Sequence, residues 1–449
     1  MTAGRGQYDL VVRAARAVTP SGQRGLVLGV SDGRIAAVEP PSASLDGAQV
    51  LELRDDEVLL PGLGDTHVHV NEPGRTQWEG FASATRAAAA GGVTTIVDMP
   101  LNSLPPTVDV AALEVKRTAA DGQCSVDVGF WGGAVPGNLG ELRGLHDAGV
   151  FGVKCFLVHS GVEEFPPLSR AELGAALEEL ARFDGLMVVH AEDADTIARA
   201  PEPDGASYEG FLASRPPSAE GTAVATVVAE TRRTGARTHV LHLASADAVP
   251  TLRAARAEGL RITVETCPHY LSFAAEGIAD GATQFKCCPP IRDAGNRERL
   301  WSALADGDVD VVVSDHSPCT PDLKRLDVGD FGLAWGGISS LQLGLPAVWT
   351  GARARGHTLV DVVRWMAEGP ARLVGLERKG RLEVGADADL CVFAPDEAFV
   401  VDPARLHHRN PVTPYAGRSL DGVVRSTWLR GERIDLTTPR GRLLVRGTA

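Results

Sequence analysis

Apolar and polar positions change rhythm twice along the chain. Up to residue 57 the apolar residues come in short runs without a helical period, at Asp9–Val12, Gly25–Val30 and Arg34–Val38. The last two are split by Ser31-Asp32-Gly33, and Asp-Gly between apolar runs is a hairpin signal. From Val58 onward, apolar β-favouring runs alternate with helical stretches. The strands expected are Val58–Leu60 (extending toward Val70), Val93–Met99, Ser125–Trp131, Val150–Val158, Leu186–His190, Thr238–Leu243, Arg261–Thr266 and Val309–Ser314. Between them, a helix starting near Glu79 runs through Ala87–Ala90 and stops at Gly91-Gly92, a glycine C-terminal cap. Another opens at Ser169 with Glu172 three residues on, a capping box. Further helices are expected over Ala219–Arg233, Ala246–Glu258, Asn296–Asp306 and Leu359–Leu373. Strand character then returns in Gly380–Phe393 and Val423–Leu429.

Eight strands alternating with helices in one block predict an α/β fold, a (β/α)8 TIM-like barrel over residues 58–374. Residues 1–57 and 375–449 are expected to pair into a small β-sandwich domain beside it. An open doubly wound sheet is the alternative, and the lack of a GxGxxG after any strand counts against it.

Composition narrows the possibilities. The 44 basic and 58 acidic residues give a net charge of −14 with no basic stripe, which argues against nucleic acid or an anionic membrane as partner. Met1 to Gln7 lack the apolar core of a secretory leader. The longest charge-free run, between Asp330 and Arg353, is interrupted by Ser339, Ser340, Gln342 and Pro346, unlike a membrane span. Seven cysteines include the pair Cys287-Cys288 and no CxxC, a usage that fits reduced thiols in the cytoplasm.

The chemistry gathers at strand ends, where barrels of this kind place their active sites. His67 and His69, two apart on a strand, point to the same side. Taken alone, such a pair fits a buried, backbone-bonded role as well as a metal site. Lys154, His190, His242 and Asp315 recur at the ends of later strands, and imidazole with carboxylate suits zinc and other first-row divalent metals. Lys154 lies in the apolar run Phe151–Val158, where burial favours a neutral, nucleophilic amine. Such an amine forms a Schiff base with a carbonyl or a carbamate with CO2; the plain alternative is a lysine reaching out of the barrel mouth to water.

From Pro61 to the mid-430s the chain resembles the cyclic amidohydrolases: dihydroorotases, hydantoinases and allantoinases. The resemblance rests on Asp65-Thr-His67-Val-His69, Lys154, His190-Ala-Glu192, His239-Val-Leu-His242, Pro289-Pro290, Ser314-Asp315-His316 and Gly385-Ala-Asp387-Ala-Asp389-Leu390. It implies two divalent metal ions, zinc foremost, with cobalt, nickel, manganese or iron suiting the same ligands. His67, His69, Lys154 as N6-carboxylysine (made with CO2) and Asp315 would hold one ion; Lys154, His190 and His242 would hold the other. A hydroxide between them would attack a ring amide carbonyl, with Asp315 as general base and then acid. His242 rather than His239 is the implied ligand. His316 is expected behind the ligands, and His269 is a candidate for facing substrate. His146, His357, His407 and His408 are expected at the surface. Relatives of this kind are usually tetramers or dimers, so a homo-oligomer is implied.

Motif variants narrow the substrate. Dihydroorotases carry arginine where this chain has Asn71, and hydantoinases lack the Asn71-Glu-Pro-Gly stretch. Asp98-Met-Pro-Leu-Asn102-Ser103, Lys286-Cys-Cys-Pro-Pro-Ile-Arg292 and Ala334-Trp335-Gly-Gly337 are the allantoinase forms. The resemblance thus implies a small-molecule substrate, allantoin, opened to allantoate, with contacts from Asn71, Asn102, Cys288 and Gly337. Asn71 offers a donor and an acceptor to a neutral ureido group, whereas dihydroorotate's carboxylate would meet no cation. A hydantoinase or dihydroorotase activity is the alternative within the family, and a scaffold without metal the alternative outside enzymology. Trp78 and Phe81, three apart on one helix face, are expected to be core.

Overall fold

In the strand-and-helix block, each apolar run becomes a parallel strand. A computed structural model of the chain describes residues 7–203 and 205–447. Its barrel strands are Leu63–Val68, Val93–Asp98, Asp127–Phe130 with its continuation Gly132–Gly133, Val153–Phe156, Leu186–His190, Arg237–Val240, Ile262–Thr266 and Val311–Val312. All neighbours pair in parallel. A parallel bridge between Val68 and His316, with the His69 N–H donating to His316 O at 2.8 Å, joins the last strand to the first. Strands such as Val93–Asp98 are buried along their whole length, as a sheet covered on both faces requires. Between them run the helices Phe81–Ala90, Arg170–Ala181, Pro217–Thr234, Val249–Ala257 and Ala294–Asp306. Ser169 and Glu172 form the expected capping box. The stretch expected as one helix from Leu359 is broken by a π turn over Arg364–Glu368.

The strand Val58–Leu60, expected as the barrel's first, belongs to a different sheet. Val58–Pro61 pairs antiparallel with Leu390–Phe393 and touches Ala17 on its other side. Val58 and Leu60 face the large core while Leu59 faces a second one with Leu10, Val12, Leu28 and Val392. The run is apolar at every position because alternate residues serve two cores, and that pattern mimics a barrel strand. The chain turns at Gly62, where a Cβ would collide with the Thr94 side chain, and the barrel's first strand begins at Leu63.

That other sheet has eight strands drawn from both ends of the chain. Tyr8–Thr19, Gly22–Ser31, Arg34–Glu39, Gly47–Glu52 and Val58–Pro61 join Leu390–Val400, Ser419–Leu429 and Glu432–Arg433. The predicted hairpin turn is present, with Asp32 and Gly33 both in the left-handed region (φ 51° and 75°). Gly47–Glu52 was not expected; it is exposed at most positions and lacks the alternation that marks a half-buried strand. The stretch from Gly380 to Val384 forms no strand.

A buried ion cluster fastens sheet to barrel. Lys379 Nζ donates to Asp127 Oδ2 (2.8 Å) and Asp389 Oδ2 (2.6 Å), and Arg430 also grips Asp127. Lys379→Met leaves these carboxylates short of a cation, and a loss of about 3–5 kcal/mol is expected. Urea denaturation measures it; a loss below about 1 kcal/mol, the range of a surface pair, would refute the role.

All seven cysteines are free thiols. Among the described residues, no helix is long and apolar enough to cross a membrane.

Candidate metal centre

At the carboxyl ends of the barrel strands lies a cleft of about 290 Å³ lined by His67, His69, Lys154, His190, His242 and Asp315. His67, His69 and Asp315 place ligand atoms within 4.8 Å of one another. Asp315 Oδ1 is 3.2 Å from His67 Nε2 and 3.5 Å from His69 Nε2. Lys154 Nζ is 3.5 Å from His67 Nε2, and the His190 and His242 rings meet edge to face at 4.5 Å. Two of these residues stand in strained backbone: His242 and Asp315 have φ of 35° and 44°. L-residues occupy that region at a cost that the surrounding structure must offset, and such residues cluster at functional sites.

Carboxylates behind the cleft set which nitrogen each imidazole presents. Glu265 bonds His67 Nδ1 through Oε1 and His239 Nε2 through Oε2 (2.9 Å), and also accepts the His242 N–H (3.1 Å). His67 is thereby turned to offer Nε2 to the cleft, as such outer carboxylates do for metal-binding histidines. Glu192 Oε2 accepts from Arg215 Nη1 at 2.6 Å and meets His190 Nε2 at 2.7 Å, leaving His190 Nδ1 without a protein partner among the described residues. The His190 ring stacks on Phe156 at 4.6 Å. Asp65 accepts the N–H groups of His67 and Ser314, holding the first and last strand ends together.

Burial dominates the electrostatics. It lowers His67 to about 4 and takes His69 and His242 well below the usual imidazole value, so all three are neutral and have lone pairs to give. It lowers the Lys154 amine to about 8, with Asp315 opposing. Asp315 is pushed well above the ordinary carboxylate range by burial, with Lys154 pulling the other way. Against burial, His67 and His239 hold Glu265 down at about 2. Neutral imidazoles with orphaned nitrogens, including His242 Nδ1, beside a carboxylate form a donor set that fits divalent metal.

The remaining residues divide. Asn102 (φ 70°), Cys288 and Gly337 line the cleft; a Cβ at 337 would collide with Ser317 O. Asn71 does not line it: fully buried, it donates through Nδ2 to Pro318 O at 3.4 Å, and Oδ1 has no partner among the described residues. His239 sits behind the ligands on Glu265 and Thr263. His316 is fully buried, with Nε2 at Glu79 (3.1 Å) and Nδ1 accepting from Ser340 N–H. His269 is fully buried outside the lining, and neither ring nitrogen has a partner among the described residues. His408, expected at the surface, is buried against His316 with ring centroids 4.8 Å apart, because the C-terminal segment folds back over the barrel. His407 is exposed, and His146 and His357 are half-buried. Phe81 and Trp78 are both buried, as expected, although Trp78 precedes the helix that opens at Phe81 and packs on Trp335 of the cleft wall at 4.8 Å.

Among the lining residues that escape prediction from the sequence are two titratable ones: His159, on the loop after the Lys154 strand, and Arg215. Arg215 overturns the expectation that a ring carboxylate would meet no cation here. It sits between two helices beside Pro216-Pro217, and no periodicity or ligand spacing marks it. Glu192 is visible in the His190-Ala-Glu192 motif, which states no role for it, and Glu265 lies within an expected strand, one residue before its end.

Comparison with known proteins agrees with this picture. Residues 58–434 match the amidohydrolase family. The chain is 60% identical to the allantoinase of Streptomyces avermitilis over 98% of its length and 99% of that protein. It is 47% identical to the allantoinase of Saccharomyces cerevisiae over 95% of its length and 94% of the relative's. Among solved structures, an L-hydantoinase from Arthrobacter aurescens superimposes with a TM-score of 0.89 at 30% identity, covering 98% of both chains.

Proposed function

The chain belongs to the amidohydrolase family, and on that premise we propose that it hydrolyses the hydantoin-ring amide of allantoin to give allantoate. The observation that carries the hydrolytic chemistry is the convergence of four histidines, a lysine and an aspartate on one cleft. The substrate is supported by relatives named allantoinase that match nearly end to end.

In this reading His67, His69 and Asp315 would hold one divalent ion and His190 and His242 a second, with Lys154, as N6-carboxylysine formed with CO2, a shared ligand. Zinc leads the candidates, with cobalt, nickel, manganese and iron suiting the same donors. When bound, the ions supply an acidified water and polarise a carbonyl. The protein's own residues do the rest. Glu265 and Glu192 keep His67 and His190 aimed at the cleft. Asp315 Oδ1 faces the two histidines, which leaves Oδ2 to accept a proton and deliver it to the leaving ring nitrogen. Asn102, Cys288 and Gly337 contact the ring. The eight-stranded sheet forms a small β-sandwich domain beside the barrel, and the protein works as a cytoplasmic homo-oligomer, a tetramer or dimer.

Measuring kcat/KM on allantoin, dihydroorotate and plain hydantoin tests the substrate. Allantoin is expected to be preferred over both. A preference for dihydroorotate would overturn the assignment, and equal values for hydantoin would mean that the ureido group goes unread.

A further inference from the structure

With Asn71 outside the cleft, the ureido group of allantoin needs another reader, and Arg215 is positioned to be it. Its guanidinium carries five N–H donors. Its one side-chain hydrogen bond among the described residues is Nη1 to Glu192 Oε2 at 2.6 Å, and the side chain is 17% exposed, at the cleft. The other nearby cation, Lys286, already spends donors on Ala334 O (2.6 Å) and Gly332 O (3.4 Å). The backbone around Arg215 is held in place. Its carbonyl accepts from Arg292 Nη1 at 2.7 Å, Arg292 is tied in turn to Glu220, and Pro216 follows directly. A fork fixed in this way loses little conformational freedom on binding.

We infer that Arg215 is a specificity-determining residue that donates its free N–H groups to the exocyclic ureido carbonyl of the substrate. The inference deepens the reading of the chain as an allantoin hydrolase and rests on it. Charge favours a neutral acceptor over a carboxylate at this place. Glu192 neutralises Arg215 at 2.6 Å, so an incoming carboxylate would meet the field of a compensated pair with Glu192 close behind it. A urea carbonyl brings no net charge and still accepts two donors of the fork.

The test compares kcat/KM on allantoin and on plain hydantoin, which lacks the ureido group, for the wild-type protein and Arg215→Lys. Lysine keeps a cation for Glu192 but loses the fork. The allantoin-to-hydantoin ratio is expected to fall about 10–100-fold, the worth of charge-assisted hydrogen bonds, chiefly through KM for allantoin, with bound metal unchanged. If both substrates lose equally, Arg215 acts only through Glu192 and His190, and the inference is overturned while the proposed function stands. A wild-type protein that fails to open allantoin overturns the function and this inference together. Should Arg215→Lys fail to fold, a crystal structure of the wild-type holoenzyme with allantoate decides: ureido carbonyls out of hydrogen-bond reach of Arg215 refute the assignment.

Discussion

Lys154→Ala is expected to strip the protein of most of its bound metal and nearly all of its activity. Lys154 Nζ is buried within 3.5 Å of His67 Nε2, and no acidic partner forms a salt bridge with it among the described residues. A buried ammonium beside metal ligands is doubly unfavourable, since it is both desolvated and repelled by the ions. Conversion to a carbamate would replace the repelled cation with a buried anion whose desolvation the ions would offset. The loss should exceed the roughly 10–100-fold that removing an outer partner of a metal ligand costs. Short carboxylates such as acetate or propionate are expected to restore part of the activity by entering the space the side chain leaves. Metal analysis of the variant and a crystal structure of the wild-type protein, grown with bicarbonate, decide the matter. A free amine at Lys154 beside fully occupied metals would rule the carbamate out.

Asp315→Asn separates holding metal from moving protons. The amide keeps an oxygen for a ligand but cannot accept the proton that a carboxylate takes, so kcat should fall by about 10²–10⁴-fold. Most of the metal should stay. Near-normal turnover with metal retained would transfer the proton step to another group. His316 and His269 are poorly placed for it, being fully buried and outside the cleft lining; His159, which lines the cleft, would be next to test.

The six chemistry-bearing side chains are legible in the amino-acid sequence because strand ends are legible there. An apolar run that closes on a histidine or aspartate announces both the strand and the direction of its last residue, and Lys154 stands out because it interrupts such a run. Direction inside loops is a different matter. Asn71 differs from a relative's arginine in type, but a motif states identity and not aim, and Asn71 aims at Pro318 O. Arg215 has the reverse history: nothing in its neighbours marks it, and only folding brings it beside Glu192 and the cleft. Glu265 stays hidden because a carboxylate in a strand carries no periodic signal, although its three bonds to His67, His239 and His242 organise the site. Val58-Leu59-Leu60 misleads for a separate reason. A strand central to any sheet, with a core on each side, shows the same unbroken apolar run.

That strand also decides how divisible the molecule is. Val58–Pro61 lies inside the eight-stranded sheet, and Gly62 alone separates it from the barrel strand that carries His67. At the other end of the chain, Leu444 N–H bonds Val128 O and Arg446 N–H bonds Gly149 O, so the tail returns to the barrel. Neither of these two connections therefore offers a seam at which a minimal catalytic fragment could be cut free. A polypeptide beginning at Leu63 would strip the large core of Val58 and Leu60 and leave Leu390–Phe393 without its neighbour. Efforts to graft this metal centre, or to shuffle barrels among relatives, must carry both termini along as one inherited unit.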